Sequence, residues 1–392
     1  MKIFVVGHFG GRNIGDEIIL LNQLKLFRDK FGINTEFVIY SYNEKHTLEN
    51  YKGFNVSTVK AFNLRNSFSS YIDIKNKIKD IDFIILGGGG LIQDVYFSYG
   101  IFRYFLPLSL GLTNNVPYYT FSIGAYNIYN KINIRLVTKL VNYANGLSVR
   151  DTFSKKVFEK YITNENKVFQ VPDSANIVVN NIKLEEEDYI VIVVRDFFSK
   201  FLDYILKIVK KIDINFEIIK IVVFEDNDIE KKLAKNIEKL LNENGYIVEI
   251  IFDINPSNYL NIIQKSKLII SGRLHGVIPS ALLNKKFIAL SYSPKISSFC
   301  IENGFKFIDI KEIQKVSNDY NQFINKDYKY NQLLEGFESY LNYIQNTYKD
   351  KPFNKIGRLK SLSQLIITNF IGLYLIIIYI IGKISNKEKI GE

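Results

Sequence analysis

Strand, glycine-rich turn and helix follow one another repeatedly along this chain, and that alternation is what most restricts its fold. Lys2–Phe9 reads as a buried strand and Gly10-Gly-Arg-Asn-Ile-Gly-Asp-Glu17 as a glycine-rich turn. Ile18–Phe31 then places Ile18, Leu21, Leu24 and Phe27 at helical spacing. Further strands are expected at Phe37–Tyr42, Phe83–Leu86, Tyr118–Ile123 and Val168–Val171, with a helix over Ile132–Tyr143. The polar, acidic stretch Asn180–Asp188 reads as a linker. The pattern then restarts with strands at Tyr189–Val194, Glu217–Phe224, Ile247–Phe252, Leu268–Ser271 and Phe287–Leu290, the last completing the second sheet. A helix over Asp228–Asn244 is closed by Gly245. Two βα sheets of this kind predict an α/β protein of two Rossmann-like domains facing a cleft, over 1–182 and 183–345.

Residues 346–392 differ from both halves. The chain carries a net charge of +11, and the segment from Lys351 holds seven Lys/Arg against Glu388 and Glu392, a net +5. These charges flank an apolar run, Leu365–Ile381, broken only by Thr368, Asn369 and Gly372. The run falls short of the ~20 residues of a spanning helix, and its basic flanks suit anionic headgroups. It predicts a C-terminal hydrophobic helix that attaches the protein to a membrane surface; no nucleic-acid partner is expected. The single cysteine, Cys300, excludes an internal disulfide framework. The apolar run after Met1-Lys2, Ile3–Val6, is too short for a signal peptide. Together they predict a cytoplasmic protein, peripheral or anchored at the inner face of the membrane.

The chemistry concentrates at Leu268-Ile-Ile-Ser-Gly-Arg-Leu-His-Gly-Val-Ile-Pro-Ser-Ala-Leu282, read as a buried strand, a glycine turn and a helix starting near His275 or Gly276. Ligands of open α/β sheets bind at the carboxyl ends of strands, and a helix N-terminus suits an anion. Arg273 offers a two-pronged donor for phosphate or carboxylate, and His275, one of three histidines, can move a proton near neutral pH. Arg150, Arg195 and Lys295 also follow expected strands, and such a set of cations suits a small substrate with more than one negative charge. Each arginine taken alone is as well explained by an ion pair. Asn13 and Asp16 sit where a turn meets a helix, where capping is the plainer role. The glycine run Gly87–Gly90 lets backbone N–H groups approach a ligand closely. No cysteine pair or close histidine pair offers zinc ligands, and no Walker A lysine or Gly-X-Ser-X-Gly elbow occurs.

Seven segments in order resemble the polysaccharide pyruvyl transferases. They are Gly10–Glu17, Gly87–Asp94, Ser122-Ile-Gly124, Ser148-Val-Arg-Asp151, Pro172-Asp-Ser-Ala175, Gly272–Gly276 and Tyr292-Ser-Pro-Lys295, covering roughly residues 1–310. The resemblance implies a GT-B-like fold and transfer of pyruvate from phosphoenolpyruvate onto two hydroxyls of a sugar as a ketal. The acceptor would belong to a cell-surface polysaccharide or a lipid-linked precursor. Carried over position by position, His275 resembles the catalytic histidine and Arg150 and Arg273 phosphoenolpyruvate ligands. Asp94 resembles an acceptor-side or catalytic carboxylate. Arg195, Lys295, Asn13, Asp16, Gly89, Gly90 and Tyr292 complete the expected substrate-binding set. Ala125-Tyr126 stands where many relatives have Gly-Pro, which sets the acceptor side of this chain apart.

Phosphoenolpyruvate carries a phosphate and a carboxylate, so fixed cations and helix N-termini form its expected cradle, with neither metal nor cofactor required. Two rival readings share the fold or the charge. A GT-B glycosyltransferase would use a nucleotide-sugar donor and need a ribose-binding acid, for which Glu302 is a poor candidate. A glycan-binding protein at the membrane would explain the basic tail and leave His275 without a task.

Overall fold

The computed structural model describes residues 1–62, 67–94, 100–163, 168–176, 185–316, 319–326 and 334–349. The apolar run Leu365–Ile381 lies outside them. Among the described residues no helix is long and apolar enough to cross a membrane.

The chain divides into two compact units. The first contains β1 (Lys2–Phe9), the C-terminal half of α1 (Ile14–Phe31), β2 (Glu36–Ser41), α2 (Glu44–Asn50), β3 (Asn55–Lys60), α3 (Ser67–Lys77) and β4 (Phe83–Gly87). It continues through α4 (Gly100–Thr113), β5 (Tyr118–Phe121), α5 (Lys131–Tyr143), β6 (Leu147–Val149), α6 (Thr152–Glu159) and β7 (Val168–Gln170). β1 to β5 form a parallel sheet in the order β3-β2-β1-β4-β5, and β6 pairs with β7. The central strands are buried on both faces, as a parallel sheet covered by helices requires.

The second unit contains β8 (Tyr189–Val193), α7 (Leu202–Lys211), β9 (Ile218–Val222), α8 (Asp228–Asn242), β10 (Ile247–Ile251) and α9 (Pro256–Lys265). β11 (Leu268–Ser271), α10 (Leu274–Leu282), β12 (Phe287–Ser291), α11 (Pro294–Glu302) and β13 (Phe307–Asp309) follow. Its sheet is parallel, in the order β10-β9-β8-β11-β12-β13. Both sheets are therefore doubly wound. Strand order reverses between β1 and β4 in the first and between β8 and β11 in the second. In such sheets the crevice outside the carboxyl ends at the reversal is where ligands bind.

Several expectations need correction. β3 is a strand that the pattern did not reveal, because only Val59 of its six residues is buried. β13 adds a strand beyond Phe287–Leu290, so that strand does not end the second sheet. α10 starts at Leu274, one residue before the expected onset.

The two units are also not two consecutive halves divided at 182/183. Residues Arg12–Asn22 belong to the second unit, which otherwise runs Ser174–Leu333, and the first unit resumes at Leu334. The physical reasons are local. Gly10 (φ 72°) and Arg12 (φ 56°) turn the chain through the left-handed region. Ile14 N–H then donates to Phe224 O (3.1 Å) and Asp226 N–H to Arg12 O (3.3 Å), while Arg12 Nη1 meets Asp226 Oδ2 at 2.5 Å. At the other end, α12 (Leu334–Thr347) returns to the first unit. There Phe337 and Tyr340 pack against Phe121, and Tyr343 Oη donates to Asn145 O at 2.7 Å. A boundary at 345/346 would cut through this helix.

Candidate functional site

At the strand-order reversal of the second unit, β11 ends in a turn that the sequence builds tightly. Ser271 Oγ accepts from Arg273 N–H (3.1 Å) and donates to Arg273 O (2.8 Å). Gly276 faces that hydroxyl so closely that a Cβ there would lie 2.2 Å from it. A Cβ on Gly272 would meet the Phe198 ring at 2.7 Å. The glycines flanking Arg273-Leu274-His275 are thus set by packing around the turn.

Arg273, the residue before α10, points inward and is 7% exposed. Its Nε donates to Val194 O (3.1 Å), Nη1 to Glu225 Oε1 (2.8 Å) and Nη2 to Glu230 Oε1. Its guanidinium lies 5.2 Å from the centroid of the Phe224 ring. Glu230 is 2% exposed, and burial pushes its carboxyl above the ordinary value against the pull of the Arg273 cation. A second prong of Glu230 accepts from Glu225 N–H (3.0 Å), which fixes the loop after β9.

Glu225 is the meeting point. Its Oε1 accepts from Arg273 Nη1, from Arg195 Nη1 (3.3 Å) and from Asn13 Nδ2 (3.2 Å). Three segments far apart in sequence thereby converge on one carboxylate oxygen. Arg195, after β8, also donates from Nε to Asp196 Oδ1 (3.0 Å), which leaves its Nη2 without an acceptor among the described residues. Its guanidinium lies 5.4 Å from the Tyr292 ring centroid, and Tyr292 in turn packs on Phe197 at 4.6 Å. Burial lowers the Arg195 pKa, but Tyr292, Glu225 and Asp196 outweigh it and raise the pKa overall. Lys295 occupies the first turn of α11, after Pro294.

His275 is held by the same N-terminal turn. Asn13 Oδ1 accepts from Gly15 N–H (3.0 Å), the capping expected of it, and Asp16 and Glu17 follow in the first turn of α1. A Cβ on Gly15 would fall 2.1 Å from His275 Nδ1, so the imidazole rests directly on the glycine. Gly15→Ala is therefore expected to displace the ring rather than unfold the unit. The check is a variant with a near-normal melting curve and a severe loss of turnover.

The remaining expected site residues lie in the first unit. Arg150, at the end of β6, is buried against Asp173 (2.9 Å), Asp151 (3.1 Å) and Tyr126 Oη (3.2 Å). Burial works against its charge, but Tyr126, Asp173 and Asp151 prevail and raise its pKa. A Cβ on Gly124 would lie 2.8 Å from that guanidinium, and Ser122 Oγ donates to Pro172 O at 2.5 Å. Three of the sequence segments thus meet around Arg150. Gly88 (φ 80°) and Gly89 (φ 73°) take the left-handed turn that only glycine adopts freely, and Gly90 follows half-buried. Asp94 Oδ2 accepts from Tyr129 N–H (3.0 Å) and Asn130 N–H (2.7 Å), so it holds the entry to α5.

The structure brings Asn13, Arg195, Arg273, His275 and Tyr292 into one unit and leaves Gly89, Gly90, Asp94 and Arg150 in the other. Sequence reasoning missed Glu225 and Glu230. The end of β9 was open to the same strand-end argument that singled out the arginines, had carboxylates been weighed with cations.

No curated protein is matched by the sequence. Among solved structures the chain is similar to a UDP-GlcNAc 2-epimerase of Methanocaldococcus jannaschii in complex with UDP-GlcNAc and UDP. That match has 15% identity and a TM-score of 0.56, over 88% of this chain and 100% of the other. A UDP-GlcNAc 2-epimerase of Neisseria meningitidis bound to UDP-GlcNAc gives 13% identity and a TM-score of 0.56, over 88% and 100%. These likenesses establish a GT-B-type fold, mixed α/β with parallel sheets. A family model described as polysaccharide pyruvyl transferase matches residues 13–294.

Proposed function

The chain belongs to the polysaccharide pyruvyl transferase family, and from that premise we propose that it moves pyruvate from phosphoenolpyruvate onto two hydroxyls of one sugar of a cell-surface polysaccharide or its lipid-linked precursor. The observation that carries this reading is the strand-order reversal of the second unit. It gathers two arginines and Asn13 around Glu225 and sets His275 against Gly15 of the same N-terminal turn. A doubly anionic donor suits that charge, and a histidine suits the proton transfers.

In the first step a proton goes to the methylene carbon of phosphoenolpyruvate and a sugar hydroxyl adds to C2, losing its own proton. The C–O bond to phosphate then breaks, the phosphate leaves with that electron pair, and the second hydroxyl closes the ketal with loss of its proton. One proton enters at carbon, and one leaves from each hydroxyl as inorganic phosphate departs. His275 is the group assigned to these transfers, giving and taking protons in turn. Arg195 is the better-placed anion ligand, because one of its guanidinium nitrogens remains available. Arg273 has all three faces of its guanidinium engaged and works by positioning.

The test is calorimetric titration with phosphoenolpyruvate. Losing a hydrogen bond to a charged partner costs about 1.5–3 kcal/mol, so Arg195→Ala is expected to weaken binding by roughly ten- to a hundred-fold. Unchanged affinity in that variant would remove Arg195 from the donor site. Wild-type binding of UDP-GlcNAc in place of phosphoenolpyruvate would favour nucleotide-sugar chemistry instead.

A further inference from the structure

The first unit has its own strand-order reversal, between β1 and β4, and none of the groups assigned above to donor chemistry occupies the end of β1. His8 stands there, one residue before the strand ends. It is half-buried between neighbours, Gly7 and Phe9, that are fully buried. Its ring lies 4.8 Å from that of Tyr42, at the end of β2, with the planes inclined by 50°. Its Nδ1 is 3.3 Å from Tyr104 Oη of α4, and Tyr104 is 6% exposed, so the ring is held from its inner edge. Tyr42 Oη accepts from Arg103 Nη1 at 2.9 Å, and the guanidinium lies 5.6 Å from that ring's centroid.

The outer edge of the imidazole is different. Nε2 has no hydrogen-bond partner among the described residues. It borders Gly11, an exposed residue where a Cβ would come within 3.2 Å of Nε2. A side chain there would close over the nitrogen, and glycine leaves it open. Just after the end of β4, the strand beside β1, Gly88 and Gly89 carry the positive-φ turn already described.

We propose that this corner of the first unit is a subsite for the saccharide acceptor, in which His8 Nε2 hydrogen-bonds an acceptor hydroxyl and Tyr42 offers its ring to the sugar. The inference rests on the pyruvyl-transfer reading for its biological meaning. The choice of a neutral polyhydroxylated ligand rests on the chemistry of the corner. Its polar groups are an imidazole and two phenols, and the Arg103 cation is spent on Tyr42. A few placed polar groups among aromatic rings at a sheet reversal fit such a ligand, whereas the phosphate and carboxylate of the donor need fixed cations. With Nδ1 restrained by Tyr104, the imidazole presents Nε2 in one orientation, which discriminates between hydroxyls of different ring geometry.

Saturation-transfer NMR on the full chain tests this, with a panel of methyl hexopyranosides and methyl N-acetylhexosaminides as probes and phosphoenolpyruvate calorimetry alongside. The wild type is expected to bind at least one glycoside. His8→Ala is expected to weaken that binding ten-fold or more with phosphoenolpyruvate affinity unchanged, and His8→Gln to recover part of it. Tyr104→Phe, which keeps the packing and removes only the hydroxyl, is expected to weaken the same glycoside by a smaller factor. The subsite is overturned if no glycoside binds the wild type, or if His8→Ala binds glycosides as the wild type does. It is also overturned if His8→Ala loses phosphoenolpyruvate and glycoside affinity together. Glycoside binding that depends on His8, in a protein that never consumes phosphoenolpyruvate, would leave the subsite standing and defeat the pyruvyl-transfer reading.

Discussion

Replacing His275 with alanine is expected to abolish turnover while the fold and donor binding persist. General acid–base catalysis contributes about 10²–10⁴ in rate, and here one imidazole is assigned every proton transfer, so the loss should reach the upper end of that range. The residue tolerates truncation structurally because its ring rests on Gly15 rather than filling an apolar core. Its backbone carbonyl, which accepts from Tyr259 Oη at 3.3 Å, is kept in the variant. Phosphate release with phosphoenolpyruvate and a competent acceptor gives the readout, and circular dichroism and donor calorimetry give the controls. Near-wild-type release from His275→Ala would end the mechanism.

The second large effect concerns stability. Arg273→Ala is expected to cost about 3–5 kcal/mol of folding free energy, the range for removing one partner of a buried ion pair. Glu230, 2% exposed, and the inner oxygen of Glu225 would lose their shared cation. The pH dependence has a definite sign. A carboxyl whose folded pKa is raised, as that of Glu230 is by burial, binds its proton more tightly when folded. Its penalty therefore grows as pH rises from the ordinary carboxylate value through the raised one and vanishes below both. Losing Arg273 removes the opposing pull and widens that window. Urea denaturation should find the gap between variant and wild type large at neutral pH and smaller near pH 4. A variant as stable as the wild type, but unable to bind phosphoenolpyruvate, would make Arg273 a donor ligand instead of a positioning residue.

Much of the architecture could be read from residue order, for a reason that also explains the misses. β1 and β11 are apolar runs buried on both sides and ended by glycine, so their limits are plain in the sequence. β3 carries Asn55, Ser57 and Thr58 on a half-buried edge, and β13 is three residues long, so neither leaves a pattern. Edge strands have one neighbour and little to bury, and their hydropathy signal is correspondingly weak. Within the site, Arg195, Arg273, His275 and Lys295 were legible because charge and proton chemistry that suit an anion are properties of single residues. Glu225 escaped because its importance is relational: one oxygen serves Asn13, Arg195 and Arg273, and no spacing along the chain records that. The interleaved boundaries escaped for a similar reason. An excursion of eleven residues, fixed by Arg12–Asp226 and two backbone bonds, has no compositional mark.

That interleaving restricts how the gene can be reshuffled. Residues 14–22 of α1 are counted with the second unit and the rest of the helix with the first, while α12 rejoins the first from the far end of the chain. A recombination that exchanged everything upstream of Ser174 for a cousin's sequence would bring a foreign Asn13-Ile14-Gly15 turn beneath the native His275. The same exchange would set foreign residues at Phe121 and Phe169 beneath the native Tyr340. A chimera could therefore match each half to its own ancestor and still misfit at both places. His275 and the N-terminal turn are bound to be inherited as one piece, even though some 260 residues of sequence separate Gly15 from His275.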